Sequence, residues 1–135
     1  MSKYLYEITH DFNGPIGGIV KYLKVHAKSG DIVAMTYGDL PVKFYTDLFV
    51  VGGLTGQDLS PAKNAKWIII RKRVHCDVDM AVRKYINMNV PGSKYQPIRL
   101  DSPDTPFENR EDPQEHLYKT VTNEDRVIIF ERIKP

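Results

Sequence analysis

The sequence predicts an α/β fold: a three-layer α/β/α sandwich whose sheet is mostly parallel and which ends in an antiparallel hairpin. Three short runs, at residues 32–36, 48–51 and 67–70, are apolar but for the closing Thr36, the pattern of strands buried on both faces. Segments of helical period alternate with them. Two further strand-like runs, at 116–121 and 126–133, then flank Thr122, Asn123, Glu124 and Asp125. Such alternation is the signature of a parallel sheet covered by helices on both sides, Rossmann-like in outline.

Residues 3–10 are rich in tyrosine and β-branched side chains and read as an extended lead-in or edge strand, followed by a turn at residues 11–15. From Ile16 the period changes. Ile16, Ile19, Val20 and Leu23 share one helical face, Lys21, Lys24 and Lys28 take the other, and Ser29-Gly30 ends the helix. Gly17 and Gly18 weaken this helix by about 1 kcal/mol each against alanine, which suits close packing.

The centre of the chain is residues 31–53, read as strand, turn, short helix and strand. Asp39 is placed to cap that helix, and Pro41 fits its first turn. Ser60-Pro61 starts a single helical turn, and the strand at 67–70 is closed by Arg71, Lys72 and Arg73. Asp77 or Cys76 opens a helix running to Met88, with Val78, Ala81, Val82, Tyr85 and Ile86 as its buried face. Pro91-Gly92 ends it. Residues 95–100 form a strand that Pro97 assigns to an edge, and residues 101–113 are a polar loop with three prolines.

A chain of 135 residues suits one domain, and 41% apolar with 27% charged residues is globular composition. A net charge of +2 is too weak to argue for nucleic acid on field strength alone, and no nucleic-acid partner is expected. The single Cys76 excludes an internal disulfide. No apolar run approaches the roughly 20 residues that cross a bilayer, and no signal-peptide pattern opens the chain.

Candidate chemistry is sparse. The glycines at 14, 17 and 18, and at 52, 53 and 56, miss the spacing of the dinucleotide fingerprint and read as turns. Arg71, Lys72 and Arg73 follow a strand, at the carboxyl edge where open α/β sheets bind ligands, with Tyr37, Asp39 and Asp101 sharing that edge. They could hold a phosphate; a solvated strand end is the simpler reading. His75, Asp77 and Asp79 invite a metal, but carboxylates at a helix start need none, so no metal is expected. There is no nucleophile elbow, no Cys–His pair at a known family spacing and no convincing acid/base carboxylate pair. The loop with Phe107, Asn109, Arg110 and Glu111, followed by His116, differs in kind: it sets an aromatic and a histidine among mixed charges between prolines.

Several stretches resemble the soluble C-terminal region of multi-spanning glycosyltransferases related to the dolichyl-phosphate-mannose–protein mannosyltransferases and the lipid A aminoarabinose transferases. They are Asp11-x-x-Gly14-Pro15-Ile16-x-Gly18-Ile19-Val20, Gly30-Asp31-x-Val33-Ala34-x-Thr36-Tyr37-Gly38-Asp39-Leu40-Pro41, Phe44-Tyr45-Thr46 and Val50-Val51-Gly52-Gly53-Leu54. A fifth is Pro103-Asp104-Thr105-Pro106-Phe107-Glu108-Asn109-Arg110-Glu111-Asp112-Pro113-x-x-His116. The resemblance implies a lipid-phosphate-linked sugar donor, an active site in a membrane part that this sequence lacks, and an extracytoplasmic location. No catalytic residue can be carried over, and no cofactor is expected in this domain.

The expected function is thus a non-catalytic accessory domain of a membrane glycosyltransferase. Its partners would be the membrane portion of its own parent chain and an acceptor or lipid-linked sugar. Phe107 would be the apolar anchor of that contact, with Asn109, Arg110, Glu111 and His116 as its polar groups. The rival is a free-standing phosphate- or nucleotide-binding protein or enzyme, with Asp39, Arg71, Lys72 and Arg73 at a sheet-edge site. A third reading is an interaction module with no ligand.

Overall fold

The computed structural model describes residues 15–53, 58–72, 77–104 and 126–135. They form a mixed α/β fold around one open sheet of five strands, in the order β2-β1-β3-β5-β4. The strands are β1 (Ile32–Met35), β2 (Phe49–Val51), β3 (Trp67–Ile69), β4 (Tyr95–Pro103) and β5 (Arg126–Arg132). The helices are α1 (Pro15–His26), α2 (Asp39–Tyr45) and α3 (Asp77–Asn89), with short 3-10 turns at Ser60–Asn64 and Gly92–Lys94.

As the apolar runs predict, β2 and β3 pair in parallel on either side of β1. β5 is antiparallel to both of its neighbours, β3 and β4, so β4 runs in the direction of the first three strands. The expected hairpin is therefore corrected in part. β5 does not form only an appended edge ribbon; it fills the gap between β3 and β4. The segment expected to be its hairpin partner, residues 116–121, lies outside the described residues, as do residues 3–10. β4 is the terminal strand, as Pro97 requires, and it continues to Pro103, through positions expected to be loop.

Both faces of the sheet are apolar because side chains alternate along each strand. Val33, Met35, Val50, Trp67, Ile69, Leu100, Val127 and Ile129 face one way and meet Ile19 and Leu23 of α1 and Val42 of α2. Ala34, Val51 and Ile68 face the other way and meet Ala62, Val82 and Ile86, the last two from α3. Each large apolar side chain so buried contributes about 1.5–3 kcal/mol. Trp67 is the largest of them, and it is anchored at its polar edge: its indole N–H donates to Asp31 at 3.2 Å, while the Tyr22 ring meets it edge-on at 5.9 Å.

Two helix readings need correction. Asp39 does not cap α2. The cap position is Gly38, with φ at 99°, and Asp39 is the first helical residue, itself buried. A left-handed turn at that point favours glycine, and the side chain of Ile16 lies where a Gly38 Cβ would be. In α3 the buried stripe is Asp79, Val82 and Ile86, whereas Val78 and Ala81 are exposed. The helix is rotated by about one position from the expected face, which brings a carboxylate inward.

Gly18 of α1 lies directly against Ser102 of β4, leaving no room for a Cβ, whereas nothing lies within 4 Å of one at Gly17. The two glycines thus have opposite roles. Gly18→Val should destabilise the domain by about 1–3 kcal/mol by forcing α1 off β4. Gly17→Ala should stabilise it by roughly 0.5–1 kcal/mol through helix propensity alone. Urea denaturation of both variants checks the contrast.

Tyr95 is buried and its hydroxyl donates to the Ala65 carbonyl at 2.5 Å. Burial pushes its pKa above the usual 10.0, with Arg132 opposing the shift. The folded state thus keeps this proton to higher pH than the unfolded chain does. Its contribution is complete below pH 10.0 and is lost as pH rises beyond it. Tyr95→Phe should cost about 1 kcal/mol at neutral pH and reduce the alkaline loss of stability. The reduction is partial, because Tyr22 is shifted upward too, by burial and by the Glu131 carboxylate. Thermal melts across the alkaline range would show it.

Candidate functional site

The carboxyl ends of β1, β2, β3 and β4 lie along one edge of the sheet, as their shared direction requires. β1 sits between β2 and β3, so the chain leaves it to one side and later returns on the other. Such a reversal opens a crevice at the carboxyl edge, the usual ligand position in open α/β sheets. In this fold that edge is occupied by a buried arginine.

Arg71 is the second residue beyond β3, and its side chain is only 2% exposed. Its backbone N–H donates to the Thr36 hydroxyl at 2.9 Å, tying the ends of β3 and β1 together. Its Nε donates to Asp104 Oδ1 at 2.6 Å, and the other carboxylate oxygen of Asp104 accepts the Lys72 backbone N–H at 3.0 Å. The guanidinium also lies 5.4 Å from the centre of the Tyr37 ring. Asp104, itself 5% exposed, follows β4 directly. Arg71 therefore joins the ends of three strands, β1 through its backbone N–H and β4 through its ion pair with Asp104.

The other residues expected here divide cleanly. Asp39 is buried at the start of α2, its carboxylate so close to Gly52 that a Cβ there would come within 2.5 Å of it. Gly53 lies as closely against Val78 of α3. Tyr37 is half-buried beside Arg71, whereas Lys72 and Asp101 are exposed on the same edge. Arg73, Phe107, Asn109, Arg110, Glu111 and His116 lie outside the described residues, as does His75. Among the described residues no group of three His, Cys, Asp or Glu side chains converges as a metal site would need, and no helix is long and apolar enough to cross a membrane.

Asp104 is the residue that sequence reasoning did not single out. Its only signals were its place in the fifth of the resembling stretches and its position directly after Pro103. Arg83 of α3 and Arg126 of β5 also reach this edge, bordering a cleft with Lys72, and nothing in their local sequence marks them. The chemistry of the Arg71 cluster is architectural: a buried guanidinium held by a carboxylate and an aromatic face organises strand ends. No protein-family model, curated protein or solved structure matches the chain.

Removing one partner of a buried pair leaves an uncompensated charge and costs about 3–5 kcal/mol. Asp104→Ala should lose about that much in urea denaturation. The double variant Arg71→Met, Asp104→Leu should lose clearly less than Asp104→Ala alone, since it removes both charges and keeps the volume. Equal losses in the two proteins would show that the pair carries no coupling.

Proposed function

We propose that the chain is a non-catalytic accessory domain of a membrane glycosyltransferase that uses a lipid-phosphate-linked sugar donor. It stands on the extracytoplasmic face and helps to cover the membrane-embedded active site or to hold the acceptor. Its build is a three-layer α/β/α sandwich of Rossmann-like type. This reading is supported by one observation: three of the stretches that carry the resemblance, around Thr36–Asp39, Val50–Gly53 and Pro103-Asp104, meet at a single edge of the sheet. Thr36 and Asp104 both bond to Arg71, and Asp39 packs on Gly52. Residues far apart in sequence that share a motif and also share a location are those a common partner would touch.

The segment that follows Asp104 in the sequence is the part that contacts the membrane portion. Phe107 is its apolar anchor, and Asn109, Arg110, Glu111 and His116 are its polar contacts. Prolines on both sides lower the entropy lost on docking. No reaction is assigned to the domain itself, because the carboxyl-edge side chains are engaged with one another rather than arranged as nucleophile, acid or base.

Two measurements test this. The purified 135-residue chain should transfer no sugar from a polyprenyl-phosphate donor. In the membrane-bound parent enzyme, alanine at Asn109, Arg110 and Glu111 together should lower transfer by about tenfold or more, the effect of losing roughly 1.4 kcal/mol of docking energy. The melting temperature of the isolated domain should stay unchanged. Full activity, or a melting loss that accounts for the whole effect, sinks the proposal.

A further inference from the structure

The outer side of the α1–α2 layer, turned away from the sheet, combines exposed apolar side chains with lysines. On α1 the exposed stripe is Lys21, Lys24 and Val25, at i, i+3 and i+4, and Lys28 stands just beyond the helix end. On α2 the same spacing sets Leu40, Lys43 and Phe44 outward. Phe44 is 80% exposed, Val25 77% and Tyr45 56%. The Phe44 and Tyr45 rings meet edge-on at 4.9 Å. A cleft of about 350 Å³ opens between the ends of the two helices, lined by these two rings with Leu23, Ala27 and Leu48. All of these residues belong to one unbroken described stretch, 15–53.

Charge decides what such a face accepts. Among the described residues, Lys21, Lys24, Lys28 and Lys43 make no ion pair; the pairs that form are Lys66–Glu131 and Arg71–Asp104. One exposed carboxylate, Asp47, lines the cleft with Lys24. The Asp31 carboxylate is occupied by the Trp67 indole N–H at 3.2 Å and the Lys28 backbone N–H at 2.9 Å. Four ammonium groups beside Asp47 leave the face positive, so its partner is anionic. A folded protein is a poor match, because interface cores are depleted in lysine and packed to fixed geometry. A second copy would set the same four ammonium groups against these four across a twofold axis. An anionic bilayer meets both demands. Its headgroups impose no fixed geometry, aromatic and aliphatic side chains gain by entering the acyl boundary, and lysine stems reach from there to the phosphates.

We infer that this face docks on an anionic lipid bilayer. Val25, Leu40 and Phe44 enter the acyl boundary, and Lys21, Lys24, Lys28 and Lys43 stand at the headgroup phosphates. Both helices then lie along the membrane plane, and the carboxyl edge of the sheet faces sideways. Such docking belongs to this chain alone and holds whether or not the accessory-domain proposal does.

The test is cosedimentation of the purified chain with two kinds of vesicle, phosphatidylcholine alone and phosphatidylcholine with phosphatidylglycerol. The expected result is saturable binding to the second kind, about tenfold or more tighter than to the first. It should weaken as added salt shortens the Debye length from about 10 Å to about 3 Å. Phe44→Ala should weaken it by about tenfold, through lost apolar burial. Lys24→Gln combined with Lys43→Gln should do the same. The charge-matched control is Lys63→Gln combined with Lys84→Gln, in the first 3-10 turn and α3 on the opposite face, and it should leave binding unchanged. All five side chains are exposed, so the variants should melt like the wild type. If Phe44→Ala lowers the melting temperature, the lysine pair alone decides. No binding to either vesicle overturns the inference. So does equal weakening by the control pair, which would reduce the effect to net charge. Binding to a polyglutamate peptide with none to vesicles also overturns it, and would assign the face to an acidic protein segment.

Discussion

A guanidinium cannot be buried without a counter-charge, because removing it from water costs several kcal/mol that only a close carboxylate and further hydrogen bonds can offset. Much of the carboxyl edge follows from that constraint at Arg71. Asp104 must stand at the end of β4, so β4 must run alongside the first three strands in direction while β5 fills the space between. The backbone of Arg71 must also stay within reach of the Thr36 hydroxyl, which keeps the ends of β1 and β3 aligned. The cation then lies over the Tyr37 ring, 5.4 Å from its centre. The edge of the sheet is thus defined by electrostatics, whereas its middle is defined by apolar burial.

Close approach is the second constraint. α1 lies near enough to β4 that Gly18 touches Ser102, and the turn after β2 lies near enough to α2 and α3 that Gly52 meets Asp39 and Gly53 meets Val78. These contacts bring secondary-structure elements together where a side chain would hold them apart. They also explain why a carboxylate sits buried at the start of α2: glycine makes the space that Asp39 occupies. Stability and the geometry of the edge therefore share residues, and variants aimed at function there need a stability control.

The architecture separates two kinds of surface at one edge. The Arg71 cluster joins Thr36, Tyr37 and Asp104 at the ends of β1, β3 and β4. The cleft beside it presents cations on an apolar floor.

What the sequence by itself determined was local. Uninterrupted apolar runs marked β1, β2 and β3 and their parallel packing, spacing of Ile16, Ile19 and Leu23 marked the buried face of α1, and Pro97 marked an edge strand. All of these follow from periodicity and from backbone chemistry that act within a few residues. Tertiary structure alone decided the rest. The position of β5 between β3 and β4 depends on which strand edge is open once the crossovers are made. The rotation of α3 that buries Asp79 and exposes Val78 depends on what lies beneath that helix. The partner of Arg71 is 33 residues away, and Arg83 and Arg126 reach the same cleft from a helix and a strand of their own. Charges meet across such distances only when the sheet order brings their strands side by side, and no spacing in the chain encodes that meeting.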